Sequence, residues 1–161
     1  MKIKVFTTGG SIDKIYSTRE SNFVVDEPQV AGIFQQANVV FEYEVAPLFR
    51  KDSLELSESD RWMITQKVRA AQERYILITH GTDTMIATAL ELLGIPDKVI
   101  VLTGAMQPAA FKYSDAAFNV GSAVVALQTL PEGVYVVMNG KVFDPRYARK
   151  NLEMDRFERT D

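Results

Sequence analysis

Three short segments of the 161-residue chain concentrate side chains able to do chemistry. Thr8-Gly9-Gly10-Ser11-Ile12 sets a serine hydroxyl directly after two glycines, which let backbone amides approach a ligand with no Cβ in the way. His80-Gly81-Thr82-Asp83-Thr84 strings two hydroxyls and a carboxylate together. Arg149-Lys150-Asn151 carries a lysine, a base that burial tunes far more readily than arginine. These types suit attack on an amide carbonyl by a Ser or Thr hydroxyl, a reaction that needs a base to remove the hydroxyl proton. His80 is the one histidine and there is no cysteine. Thiol nucleophiles, disulfides, Cys-built zinc sites and sites with two His ligands are therefore excluded.

Each segment also has a plainer reading. Gly9-Gly10 suits a tight turn or a phosphate cradle, but neither Gly-x-Gly-x-x-Gly nor Gly-x-x-x-x-Gly-Lys-Ser/Thr is present, so nucleotide binding has little behind it. His80 reads as the base of a serine–histidine–aspartate triad or as a packed, hydrogen-bonded structural residue. Thr82, Asp83 and Thr84 read as a helix cap, although one residue suffices for that, or as hydroxyl chemistry. Lys150 reads as a surface lysine or as a tuned base folded back over the site.

The elements that must position these groups follow from the apolar pattern. Residues 2–8, 39–46, 75–79, 99–103 and 134–138 read as strands, the last three almost wholly apolar. Helix-like stretches separate them: from Pro28, from a capping-type start at residues 57–60, over 84–93 before Gly94, and from Ser114-Asp115 to about 130. Continuous apolar strands alternating with helices predict an α/β fold, an open, mostly parallel sheet sandwiched by helices, Rossmann/flavodoxin-like, with right-handed crossovers. The chain reads as one domain over residues 1–161, with a long polar loop over 9–26 and a mixed-charge solvated tail over 146–161. In such a sheet ligands bind beyond the carboxyl ends of the strands, where all the segments above fall. Eighteen basic and twenty-one acidic side chains give a net charge of −3, with no basic stripe for nucleic acid. No apolar run approaches the ~20 residues that span a bilayer, and the N-terminal apolar run is too short for a signal peptide. A soluble, cytoplasmic domain is expected.

At this point the residues resemble the bacterial-type L-asparaginase family. Thr8-Gly9-Gly10-Ser11-Ile12 resembles its Thr-Gly-Gly-Thr-Ile signature, and His80-Gly81-Thr82-Asp83-Thr84-Met85 matches its second signature residue for residue. Gly104-Ala105-Met106 and Val137-Met138-Asn139 resemble further family segments. The likeness covers essentially the whole chain as the N-terminal domain of a two-domain enzyme, so the chain looks like a compact single-domain member. The resemblance implies an amidohydrolase converting L-asparagine to L-aspartate and ammonia through a hydroxyl-linked acyl-enzyme. It implies no cofactor or metal and no nucleic-acid or membrane partner. Ser11 would form the acyl-enzyme, Tyr16 would help activate it, and Thr82, Asp83 and Lys150 would form a second catalytic group. Asp83 would also hold the substrate ammonium and Ser53 the α-carboxylate, while Ala105 would meet the side-chain amide. The Gly10 and Thr82 regions would offer amides to the oxyanion, and the loop bearing Ser11 and Tyr16 would close as a lid.

Three positions depart from the pattern. Ser11 replaces threonine and loses the methyl that restricts χ1, which predicts reduced activity. Asp13 stands where a small residue is usual, and Leu54 follows Ser53 where a polar one is common. A catalytically weak or inactive amino-acid-binding module of the same fold is the alternative. With no second domain to complete the pocket, residues 149–161 or another copy are expected to close it, hence a homo-oligomer.

Overall fold

The computed structural model describes residues 1–160. The chain runs β1 (Lys2–Gly9), β2 (Lys14–Ser17), β3 (Asn22–Val25), α1 (Val30–Gln36), β4 (Glu42–Lys51), α2 (Glu58–Ala70) and β5 (Tyr75–Thr79). It continues through α3 (Met85–Glu91), β6 (Val99–Thr103), α4 (Ala116–Thr129), β7 (Gly133–Met138), β8 (Lys141–Phe143), β9 (Ala148–Asn151) and β10 (Arg156–Arg159). One sheet holds the order β4-β1-β5-β6-β7-β8, parallel throughout except for the antiparallel edge strand β8. The α/β architecture expected from the apolar pattern is the one observed.

Burial explains why the central strands carry no polar alternation. On one face Ile3, Val5, Leu77 and Val101 pack against Val30 and Phe34 of α1 and Val120, Ala123 and Leu127 of α4. On the other, Phe6, Ile76, Ile78, Ile100 and Val136 pack against Ile64 and Val68 of α2, Met85 and Ala89 of α3, and Leu92 just beyond it. A strand covered on both faces is apolar along most of its length.

The crossovers do not all share one hand. The chain steps from β1 to β4 over the α1 face, then travels back across the sheet through β5 to β6 over the α2 and α3 face. From β6 to β7 it keeps that direction but returns to the α1 face, so β6–α4–β7 has the opposite hand to the other three connections. Right-handed crossovers throughout were the expectation, and this connection corrects it. Its effect is to bring the segment after β6 to the side where the turn after β1 lies, and the Ala109 amide donates to the Ile12 carbonyl at 3.1 Å.

Two stretches without an obvious pattern are ordered hairpins. Residues 9–26, expected as a polar loop, form a 3-10 turn over Ser11–Asp13 and then β2–β3, with Ile15 opposite Val24 and Tyr16 opposite Phe23. The Phe23 ring stands edge-on to both Tyr16 and Phe111, with centroids 5.5 Å apart in each case. Within residues 146–160, β9 pairs with β10, and Phe157 is buried beside Phe143. The expected tail also included Asp161, which lies outside the described residues. The second strand, expected at 39–46, runs Glu42–Lys51 and accommodates Pro47 because it is a sheet edge. Among the described residues no helix is long and apolar enough to cross a membrane.

Candidate active site

The site is built by turns at the carboxyl ends of β1, β4, β5 and β6. They meet around β1, where the direction of travel across the sheet reverses, the place where such sheets bind ligands. The pairing of β1 with β4 shifts between Thr7 and Gly9, and the strand ends on two left-handed residues, Gly9 at φ +101° and Gly10 at φ +84°. A Cβ on Gly10 would stand 2.5 Å from the Gly81 Cα, and one on Gly81 would stand 2.6 Å from the Ser53 Cβ. A Cβ on Gly104 would collide with the His80 carbonyl. Backbone contact thus joins the turn after β5 to those after β1, β4 and β6. Ser11 and Thr82, one residue beyond Gly10 and Gly81, share this edge of the sheet.

Ser11 opens its 3-10 turn part-exposed, with no hydrogen-bond partner for its hydroxyl among the described residues. Lys150 does fold back over the site. Its Nζ donates to Thr82 Oγ1 and to Asp83 Oδ1, both at 2.8 Å, and its side chain is only 15% exposed. The hairpin that carries it is fastened by Phe157, the residue opposite Lys150, whose amide donates to Asn139 Oδ1 at 2.9 Å. Asn139 closes the strand β7 in the left-handed region, at φ +54°.

Ser53, 1% exposed, accepts the Thr84 amide on Oγ at 3.2 Å while its carbonyl accepts Thr84 Oγ1 at 2.8 Å. Its hydroxyl proton remains available to an anion. Beside it, Asp52 accepts Lys14 Nζ at 3.0 Å. Burial pushes the Asp52 carboxyl up, but Lys14 and the Leu54 amide outweigh it, with help from Lys150, and hold it below the usual carboxylate range.

Ala105 is buried in a segment tied down by the next helix. Asp115 accepts the Met106 and Gln107 amides at 2.9 and 3.0 Å, and Asn119 Nδ2 donates to the Gly104 carbonyl at 3.0 Å. Ser114-Asp115 reads in the sequence as a helix cap; Ser114 Oγ does accept the Ala116 amide at 3.1 Å, while the Asp115 carboxylate caps the preceding loop.

The geometry decides for the structural reading of His80. It is fully buried, with Nδ1 2.7 Å from the Gly81 carbonyl and Nε2 2.7 Å from Thr88 Oγ1. A carbonyl only accepts, so Nδ1 carries the proton and Nε2 accepts the Thr88 hydroxyl. Burial lowers its pKa to about 4, with Arg61 assisting and the Gly81 carbonyl opposing, so the ring is neutral at pH 7.

Two expectations are not met by contacts in this state. Tyr16 lies on β2, 56% exposed, and its hydroxyl bonds to neither Ser11 nor Thr82 among the described residues. The Gly10 amide is committed to the Lys51 carbonyl at 2.9 Å, so Gly10 shapes the site without offering its own N–H.

Residues 2–159 match the family model of the asparaginase N-terminal domain. The chain belongs to the asparaginase family. It is 31% identical over 167 residues to L-asparaginase 2 of Escherichia coli (strain K12), spanning 95% of this chain and 47% of that protein. Over 84 residues it is 39% identical to the glutaminase-asparaginase of Acinetobacter glutaminasificans, covering 49% of this chain and 25% of that protein. Among solved structures, the thermostable L-asparaginase from Thermococcus kodakarensis superposes with a TM-score of 0.83 at 26% identity, over 99% of this chain and 51% of that one. The chain spans about half the length of the asparaginases it matches along its whole extent.

Proposed function

We propose that this asparaginase-family domain hydrolyses the side-chain amide of L-asparagine to L-aspartate and ammonia. The observation that carries the reading is Lys150 Nζ bonded at 2.8 Å to both Thr82 and Asp83, residues 68 and 67 positions away in the chain. A surface lysine has no reason to be held so far back along the sequence by a buried aromatic anchor. In this reading Ser11 Oγ attacks the amide carbon, its proton passes to the departing amine, and the C–N bond breaks to leave an ester on Ser11. Water then cleaves that ester and returns the proton to Ser11. In this second step Thr82 takes the water's proton as it passes its own to Lys150, Asp83 stabilises the ammonium so formed, and Lys150 gives the proton back along the same path to the departing Ser11 oxygen. Asp83 also receives the substrate ammonium, the Ser53 hydroxyl donates to the α-carboxylate, and the Ala105 carbonyl accepts from the side-chain amide. The Thr82 amide stabilises the oxyanion, a contribution of about 3 kcal/mol for a well-placed donor. No metal or cofactor enters these steps.

Ammonia release measured with L-asparagine, L-glutamine and buffer tests the proposal. Turnover of asparagine is expected, falling by a factor of about 100 or more in S11A and in K150M. Saturable asparagine binding with no ammonia would instead establish an amino-acid-binding module, a reading favoured by the unengaged Tyr16 hydroxyl.

We further infer a homo-oligomer. The 14-residue helix α4 contains no charged side chain, yet Phe118 and Val125 are 63% and 58% exposed on it, a face suited to a second copy. Light scattering that finds only monomer would refute this.

A further inference from the structure

Asp13 ends the 3-10 turn that begins at Ser11, and although it is a carboxylic acid it is only 2% exposed. Three hydrogen bonds converge on it. Its amide donates to the Gly10 carbonyl at 3.1 Å, and its carbonyl accepts the Asp26 amide at 2.9 Å, beside the Lys14–Val25 pair that starts the β2–β3 hairpin. Its Oδ1 accepts the Gln29 amide at 2.9 Å, at the entrance to α1. The backbone of Asp13 thus closes the Ser11 turn and meets the base of the Tyr16 hairpin, while its carboxyl ties that turn to the entrance of the first helix. From β4 the charged neighbour is Arg50, which is bonded to Glu27 and 3.7 Å from Asp26; from the hairpin they are Asp26 itself and Lys14, which is bonded to Asp52. The helix α1 has no charged side chain, and none of these cations bonds the Asp13 carboxyl.

We propose that Asp13 is a positioning residue for the reaction, its carboxyl pinning the turn that presents Ser11 to the entrance of α1. The proposal rests, for its activity arm, on Ser11 acting as the nucleophile. The geometry that singles out the side chain is its 2% exposure and its Oδ1, which is the partner of the part-buried Gln29 amide. Burial adds a proton dependence: it raises the carboxyl to about 7, against the Gln29 amide and Arg50, which lower it. Below neutrality the acid is uncharged and tolerates burial; above it the buried carboxylate carries a desolvation cost that the Gln29 amide and Arg50 offset only in part, so the turn that holds it is less stable.

Two substitutions test this. Asp13→Ala is expected to lower kcat about tenfold or more while KM stays within about threefold, since a displaced nucleophile costs rate rather than affinity. Asp13→Asn keeps an oxygen for the Gln29 amide, so it is expected to restore most of kcat and to lack the inflection near pH 7 shown by the parent. Hydrogen exchange supplies an arm free of catalysis: the Gln29 amide should exchange faster in Asp13→Ala, and in the parent its protection should fall above pH 7 but not in Asp13→Asn. Parental kcat and amide protection in Asp13→Ala, or an unchanged inflection in Asp13→Asn, overturns the proposal. If Asp13→Ala does not fold, the Asp13→Asn profile and exchange decide. If the parent releases no ammonia, the Ser11 reading fails while amide exchange still judges Asp13.

Discussion

Lys150 and His80 show how far residue type alone misleads about role. The histidine is the conventional base, yet both its nitrogens are spent inside the fold; the lysine, in a charged stretch, is the group brought to Thr82 and Asp83. Two outcomes follow at this scale. Lys150→Arg keeps the charge but is expected to lose nearly as much turnover as Lys150→Met, because a guanidinium does not give up its proton near neutrality; parental kcat in Lys150→Arg would remove Lys150 from proton transfer. His80, followed by NMR, is expected to stay the neutral Nδ1–H tautomer from pH 8 down to about 5, given its pKa of about 4. The six-residue match from His80 to Met85 makes Thr82 and Asp83 legible before any coordinates. Asp115, Asn119 and Asn139 were not, because each works through a backbone group that only the folded chain brings to it.

Among the elements, the two hairpins carry the parts of the site that sequence periodicity misses. Neither has a run long enough to show alternation, and each is held by one or two aromatic contacts rather than by a continuous apolar face. In β9–β10 that contact is Phe157, 3% exposed against Phe143. Phe157→Ala is expected to cost about 3 kcal/mol in denaturant unfolding and, under conditions where the variant is folded, to lower kcat by releasing Lys150. Folded Phe157→Ala with parental kcat would show that the hairpin does not place the base. The central parallel strands were readable because burial on both faces favours near-continuous apolar runs. The hand of β6–α4–β7 was not, since no local pattern records which face a helix returns to. Gly10→Ala tests the turn after β1: strain at φ +84° and backbone at 2.5 Å should together cost more than about 1 kcal/mol and displace Ser11. A thermal melt like the parent's would count against that close approach.

The molecule as a whole carries two buried groups whose protonation pulls stability in opposite directions. The Asp13 pKa is raised from 3.8 to about 7, so the native state holds a proton that the unfolded state has lost, and stability falls as pH rises through that window. The His80 pKa is lowered from 6.5 to about 4, so the unfolded state takes a proton that the native state refuses, and stability rises with pH over that range. The full shifts correspond to something on the order of 3 kcal/mol for His80 and 4 kcal/mol for Asp13. Their slopes cancel between about pH 4 and 6.5, where the parent's melting temperature is expected to be nearly flat. Asp13→Asn removes one slope, and its melting temperature should climb across the same interval; a flat profile in Asp13→Asn would contradict the assignment.

The reach of residue 150 to residues 82 and 83 ties turnover to the order in which the chain acquires its structure. An intermediate with the first eight strands in place already owns both hydroxyls and the zwitterion's cradle, yet it has nothing to take the proton. Ammonia production during refolding should therefore lag behind the appearance of the sheet and keep time with the docking of the last two strands, making the reaction a clock for the final event of folding.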